Sequence, residues 1–121
     1  MEYFLKSADK GNLNSFYFIG NLYFYGKGVE QDYSKALKYY LKSADKGNAN
    51  AFFDIGNFYY NGYGVEQDYS KAMEYYLKSV DKGNASALAA IGNLYAKGKG
   101  VEMLKKAASM GNLIAQNIIN E

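Results

Sequence analysis

Apolar side chains recur along this chain on two scales. At short range, Phe16, Ile19 and Tyr23 stand three and then four residues apart, as do Phe52, Ile55 and Tyr59. That spacing collects side chains on one face of an α-helix. A second stripe, Ala36, Tyr39, Tyr40 and Ala44, has the same helical character. No run alternates with the period of two that a half-buried strand requires. At long range the stripes themselves return: Asn12–Gly47 and Asn48–Gly83 are identical at 25 of 36 positions.

Each 36-residue copy is predicted to be a pair of helices. Asn12, Asn48 and Asn84 are suited to cap the first helix, and Gly26 and Gly28, or Gly62 and Gly64, to end it. Asp32 and Asp68 are suited to cap the second helix, which closes on Lys46–Gly47 in the first copy. A third copy, Asn84–Gly111, has 28 residues; the eight it lacks correspond to Gln31–Lys38. Its second helix should therefore run only about two to three turns and lack a strong N-cap. A last stretch, 112–121, is predicted to cap the stack by burying Leu113, Ala115, Ile118 and Ile119. Residues 1–11 match 73–83, so the chain opens in the second half of a repeat and reads as a piece of a longer array. The expected organisation is one repeat domain over 1–121 with eight helices, divided as 1–11, 12–47, 48–83, 84–111 and 112–121. Such pairs cannot bury their apolar faces alone, so they stack into an all-α solenoid. Gly20, Gly56 and Gly92 fall inside first helices, where glycine costs about 1 kcal/mol relative to alanine. A cost repeated three times points to close approach of the partner helix.

Composition narrows the chemistry. The chain has no Cys and no His, which removes disulfides, thiolate or imidazole metal sites and triad-type catalysis. No metal, cofactor or catalytic residue is expected. Net charge is +2, and all 14 basic residues are Lys. Without the planar fork of Arg, specific recognition of nucleic acid is disfavoured. There is no apolar run long enough to span a membrane and no basic-then-apolar start of a signal peptide, so a cytoplasmic protein is expected. The Gly-Lys-Gly-Val and Gly-Tyr-Gly-Val loops follow helices and lack a Gly-Lys-Ser/Thr ending, so they are turns, not phosphate cradles. Glu30 and Asp32, like Glu66 and Asp68, fit helix N-termini better than calcium or acid–base sites. The Tyr39–Tyr40 and Tyr75–Tyr76 pairs are expected to fill gaps between repeats.

The recurring pattern is a small residue (Ser15, Ala51, Ala87), Ile-Gly-Asn-x-Tyr, Gly-x-Gly-Val, Asp-Tyr-Ser-Lys-Ala and Tyr-Tyr-Leu-Lys-Ser-x-Asp-Lys-Gly. It resembles the Sel-one-like repeat family, relatives of tetratricopeptide repeats with a longer loop between the helices. The resemblance covers nearly the whole chain. It implies an α/α superhelix and an adaptor or scaffold role, with first helices lining a concave face. On that analogy the exposed concave positions are Asn14, Tyr17, Phe18, Asn21, Phe24 and Tyr25 in the first copy. In the second they are Asn50, Phe53, Asp54, Asn57, Tyr60 and Asn61; Asn93 continues the series in the third. Asn21, Asn57 and Asn93 form a ladder that either grips the backbone of an extended peptide or ties neighbouring helices together.

Comparison of the copies favours this wall as the contact site. The first two copies differ at 11 positions, and seven of these lie in residues 12–25, the first helix. The rest is nearly duplicated, as a framework would be. The expected function is therefore non-catalytic binding of a protein or peptide on the concave face by a chain that is monomeric when unbound. The alternative is a stand-alone inhibitor that blocks a larger protein complex by occupancy.

Overall fold

The computed structural model describes residues 13–98, 100–109 and 111–120, and the side chains of all of these but 13, 14, 103, 106 and 107. Seven helices are present among them: α1 Leu13–Tyr25, α2 Tyr33–Asp45, α3 Ala49–Asn61, α4 Tyr69–Asp81, α5 Ser86–Ala96, α6 Gly100–Ser109 and α7 Leu113–Asn120. The described residues contain no strand. The helix expected within residues 1–11 lies outside the described residues.

The caps fall where the side-chain chemistry places them. The Asp32 carboxylate accepts from the Lys35 N–H at 3.0 Å, and Asp68 does the same for Lys71 at 3.0 Å. Each satisfies one of the amides that a helix N-terminus leaves without a partner. Asn48 Oδ1 accepts from the Asn50 and Ala51 amides at 2.9 and 3.3 Å. Asn112 serves in the same way toward Ala115 at 2.9 Å. Asn84 accepts from the Ser86 amide at 3.0 Å, but the helix there starts one residue later, after Ala85, whose methyl side chain cannot cap it. Asn12 lies outside the described residues. The junction between repeats is correspondingly tight. Gly47 has φ 92°, its N–H donates to the Ala44 carbonyl at 2.8 Å, and the Asn48 N–H donates to Ser43 at 3.2 Å. This is a Schellman closure, which needs a left-handed residue and therefore glycine. Gly83 and Asn84 repeat it at φ 98°, with bonds to Val80 and Ser79 at 2.9 and 3.0 Å. Asn48 thus ends one helix and begins the next.

The loop inside each long repeat is folded back onto the first helix. The backbone N–H of Asp32 reaches the Tyr23 carbonyl at 2.9 Å, while the Gln31 side-chain amide donates to the Phe24 carbonyl at 2.7 Å. Asp68 and Gln67 do the same toward Tyr59 and Tyr60, at 2.8 Å each. The glutamines therefore cap the carbonyl end of the first helix, a role that spacing alone does not disclose.

The core runs between the two helix layers. Ile19, Ile55 and Ile91, with Ala36, Ala72, Tyr40, Tyr76, Phe58 and Leu94, are buried. Gly20 and Gly56 show the close approach expected of them. A Cβ on Gly20 would lie 2.7 Å from Tyr40 Cδ1, and one on Gly56 would lie 2.5 Å from Tyr76 Cε1. Gly92 departs from the expectation, because a Cβ there would meet nothing within 4 Å. The third copy has Leu104 where the others have the inner tyrosine, and the smaller side chain leaves that space open. The paired tyrosines also divide their work. Tyr40 and Tyr76 point inward, whereas Tyr39 and Tyr75 are half-buried and stack on Tyr23 and Tyr59, centroids 5.8 Å apart in both copies. Consecutive helical residues point roughly 100° apart, so both members of a pair cannot fill the same gap.

The third repeat adapts to its deletion by extending helix backward. Val101 and Glu102, whose counterparts belong to the loop in earlier copies, lie in the ten-residue α6. Its length matches the two to three turns expected. The capping helix α7 buries Ala115 and packs Ile114, Ile118 and Ile119 against the cluster of Tyr76, Leu77, Ile91, Leu94 and Leu104. Leu113 was expected in that interface but is 72% exposed. It stands two residues before Ala115, roughly 200° away around the helix, and so faces outward.

The two kinds of glycine environment predict opposite signs for one substitution. Gly56→Ala should cost about 1–3 kcal/mol, because the Tyr76 ring must move in a packed core. Gly92→Ala should stabilise by about 0.5–1 kcal/mol, since the space is open and the backbone helical. Paired denaturant melts of the two variants check this.

Candidate binding face

Tyr17 and Asp54 show how the first helices stand side by side. The Tyr17 hydroxyl on α1 donates to Asp54 Oδ2 on α3 at 2.7 Å, bridging two repeats. The same pair of helices encloses a cavity of about 230 Å³. Tyr17, Asn21, Phe24, Tyr25, Asp54 and Asn57 line it, with buried Tyr40 and Phe58 contributing from the core. Six of the positions expected on the wall are therefore brought to one place. Tyr40 and Phe58 are the two that sequence reasoning did not include. The signal for Tyr40 was available in the repeat itself, since Gly-Asn and an inner tyrosine recur together at a fixed spacing in both long copies.

Burial sorts the expected residues into three kinds. Phe18 is 51% exposed and Tyr25 is 63% exposed, and Asn50, Asn61 and Asn93 are also exposed. Tyr17, Asn21, Phe53, Asp54, Asn57 and Tyr60 are half-buried. Phe24 was expected to be solvated with Phe18 and Tyr25, and it is not. Its ring packs 5.6 Å from Phe58, 5.5 Å from Tyr33 and 5.5 Å from Tyr63, so it belongs partly to the core between repeats. Its place one residue before the helix end turns it toward the following loop and not outward. Tyr60, its counterpart, packs on Tyr69 at 5.3 Å in the same manner. The Asn14 side chain lies outside the described residues.

The asparagine ladder also has an internal role. Tyr40 Oη donates to Asn21 Oδ1 at 2.5 Å, and Tyr76 Oη donates to Asn57 Oδ1 at 2.6 Å. The carbonyl ends of two rungs are thus taken by the second helix of the same repeat. Asn21 also hydrogen-bonds the Tyr17 side chain on the same wall. Asn93 lacks the bond to the second helix because Leu104 offers no hydroxyl.

Electrostatically, the site is built around one carboxylate. Burial pushes the Asp54 carboxyl above its ordinary value of 3.8, and the Tyr17 hydrogen bond offsets part of that rise. Tyr17 is pushed upward by its own burial and then by Asp54, with a hydrogen bond from Asn21 offsetting part of the rise; Tyr40 rises by burial and then by Asp54, and Tyr76 by burial and then by Tyr60. Among the described residues, the ion pair present is Lys78 with Glu74 on α4, remote from the cavity and exposed. No group of three or more acids, His or Cys is placed to hold a metal among the described residues.

A carboxyl whose folded pKa exceeds its unfolded one binds its proton more tightly in the native state. Its contribution to stability is therefore greatest at low pH and is lost as pH rises from the ordinary value through the raised one. Asp54→Asn keeps an acceptor for Tyr17 and removes the titration. The difference in melting temperature, variant minus wild type, should grow across that acid interval and stay positive at pH 7; a series of melts from pH 3 to 7 reads it.

The repeat frame and this wall can be set beside known proteins. The Sel1 repeat model matches residues 1–12, 17–48, 50–84 and 85–112. A Sel1 repeat protein from Oxalobacter formigenes superposes with a TM-score of 0.76 at 34% identity, covering 94% of this chain and 50% of its own. The c5321 protective antigen of uropathogenic Escherichia coli, which displays an SLR fold, gives 0.77 at 30% identity over 98% of this chain and 27% of its own. Helicobacter pylori cysteine rich protein B gives 0.69 at 27% identity over 73% and 66%. The chain thus spans about half the length of the first of these proteins and about a quarter of the second. No curated protein matches the chain. Among the described residues, no helix is long and apolar enough to cross a membrane. Sel1 repeats generally mediate protein–protein interaction. With the family pattern matched across nearly its whole length and the same stacked helical pairs in its structure, the chain belongs to the Sel1 repeat family.

Proposed function

We propose that the chain is a non-catalytic adaptor that binds a protein partner on the wall formed by α1 and α3. The observation that carries this reading is the placement of Phe18 and Tyr25. Both are large aromatic rings more than half exposed, and Tyr25 borders a polar cavity on the helix face where the two long repeats have diverged. Exposed aromatics concentrate binding energy because they remove much apolar area from water at little cost in side-chain entropy. The opposite layer presents stacked tyrosines, with Lys35 over Tyr23 at 5.4 Å and Lys71 over Tyr59 at 5.1 Å.

The partner, recovered by affinity capture with the full chain, gives the test. Phe18→Ala and Tyr25→Ala should each change folding stability by less than about 1 kcal/mol. Each should weaken partner binding about tenfold or more by titration calorimetry. Ile19→Ala, on the buried side of the same helix, should cost about 2–5 kcal/mol of stability and leave the affinity of the folded fraction unchanged. Partner affinity indifferent to both aromatic substitutions would place the contact elsewhere.

A further inference from the structure

The α1–α3 cavity differs from the rest of the wall in carrying a half-buried carboxylate, Asp54, that has no counter-charge among the described residues. The Tyr17 hydroxyl donates to its Oδ2. No described lysine lies within ion-pair distance of it. The surroundings are aromatic: Tyr17, Phe24, Tyr25 and Tyr40 all contribute to the lining. Aromatic rings attract cations through their quadrupole, and the attraction strengthens where water is displaced. The chain itself supplies an instance at the rim, with Lys27 Nζ 5.7 Å from the centroid of Tyr25.

We infer that this cavity receives the charged end of a lysine or arginine side chain of the partner, held by the Asp54 carboxylate and the surrounding rings. The inference rests on the α1–α3 wall being the binding face. Three occupants can be compared. An apolar side chain would deepen the burial of Asp54 without pairing it, which is costly. An acidic side chain would set two like charges in one site. A basic side chain neutralises the carboxylate and places its charge beside the rings. Size points the same way. At about 230 Å³ the cavity is below the roughly 300–1,000 Å³ of small-molecule sites, and a single side chain suits it. Asn21 and Asn57 border the same space.

Capped tripeptides provide the probe. The full chain, isotopically labelled, is titrated with acetyl-Gly-Arg-Gly-amide, acetyl-Gly-Lys-Gly-amide and the neutral isostere acetyl-Gly-citrulline-Gly-amide while amide shifts are followed. The two cationic peptides should produce saturable shifts at Tyr17, Asn21, Asp54 and Asn57, with the citrulline peptide about tenfold weaker or more. Asp54→Asn should abolish the preference for charge while its melting temperature stays at or above that of the wild type, so lost binding is not lost folding. Saturation by the neutral peptide as strong as by the cationic ones, or an undiminished charge preference in Asp54→Asn, would overturn the cation site and leave the wall as a binding face. Absence of saturable shifts on α1 and α3 with either cationic peptide would also overturn it. The aromatic substitutions, read against the captured partner, judge the wall separately.

Discussion

The edge of a tyrosine ring set against a glycine is the contact on which the two long repeats depend. With no Cβ at Gly20 or Gly56, the Tyr40 and Tyr76 rings settle against the first helix at distances no other residue would allow. That position carries each hydroxyl to the asparagine next in sequence to the glycine, Asn21 or Asn57. A buried phenol needs such a partner, since an unsatisfied polar group in a core is expensive. The three residues therefore form a unit: glycine admits the ring, asparagine satisfies its hydroxyl, and the ring fixes the separation of the helices. Tyr40 then packs on Phe58 of the next repeat at 5.6 Å, so the unit also sets the step from one repeat to the next.

The wall inherits its shape from this arrangement. Tyr40 contributes both to the core and to the cavity between α1 and α3, so this wall has a floor made by residues whose first duty is packing. Asp54 joins two repeats through its hydrogen bond with Tyr17. It occupies the place that Phe18 holds in the preceding copy and Ala90 in the following one, and burial raises its carboxyl above the ordinary value.

Much of this was legible in the residues themselves. The repeat boundaries, both kinds of cap and the close approach at Gly20 and Gly56 follow from helical spacing and from what Asn, Asp and Gly do at helix ends. Spacing alone puts the expected wall positions on shared helix faces, and six of them line one cavity. What spacing could not supply was depth. Phe18 and Phe24 are both phenylalanines on α1, and only the neighbouring repeat decides that Phe24 is covered by Phe58, Tyr33 and Tyr63. In the same way Gly92 looks like its two predecessors until Leu104 is found in place of the tyrosine. Leu113 was misplaced for a plainer reason, since its phase around α7 already separated it from Ala115.

The junction asparagines have a consequence for how such an array can change length. Because Asn48 completes one Schellman closure and starts the next helix, there is no spare residue at that junction. One inserted residue there would separate the closing glycine from the capping asparagine and break the closure. The loop inside a repeat is different, since its neighbours remain anchored on either side whatever its length. The third copy has lost eight residues from that interior and from the helix it leads into, and none from the junctions that flank it. Gain and loss of sequence are thereby channelled into the middle of each unit, and the array can be edited there without changing the direction in which it grows.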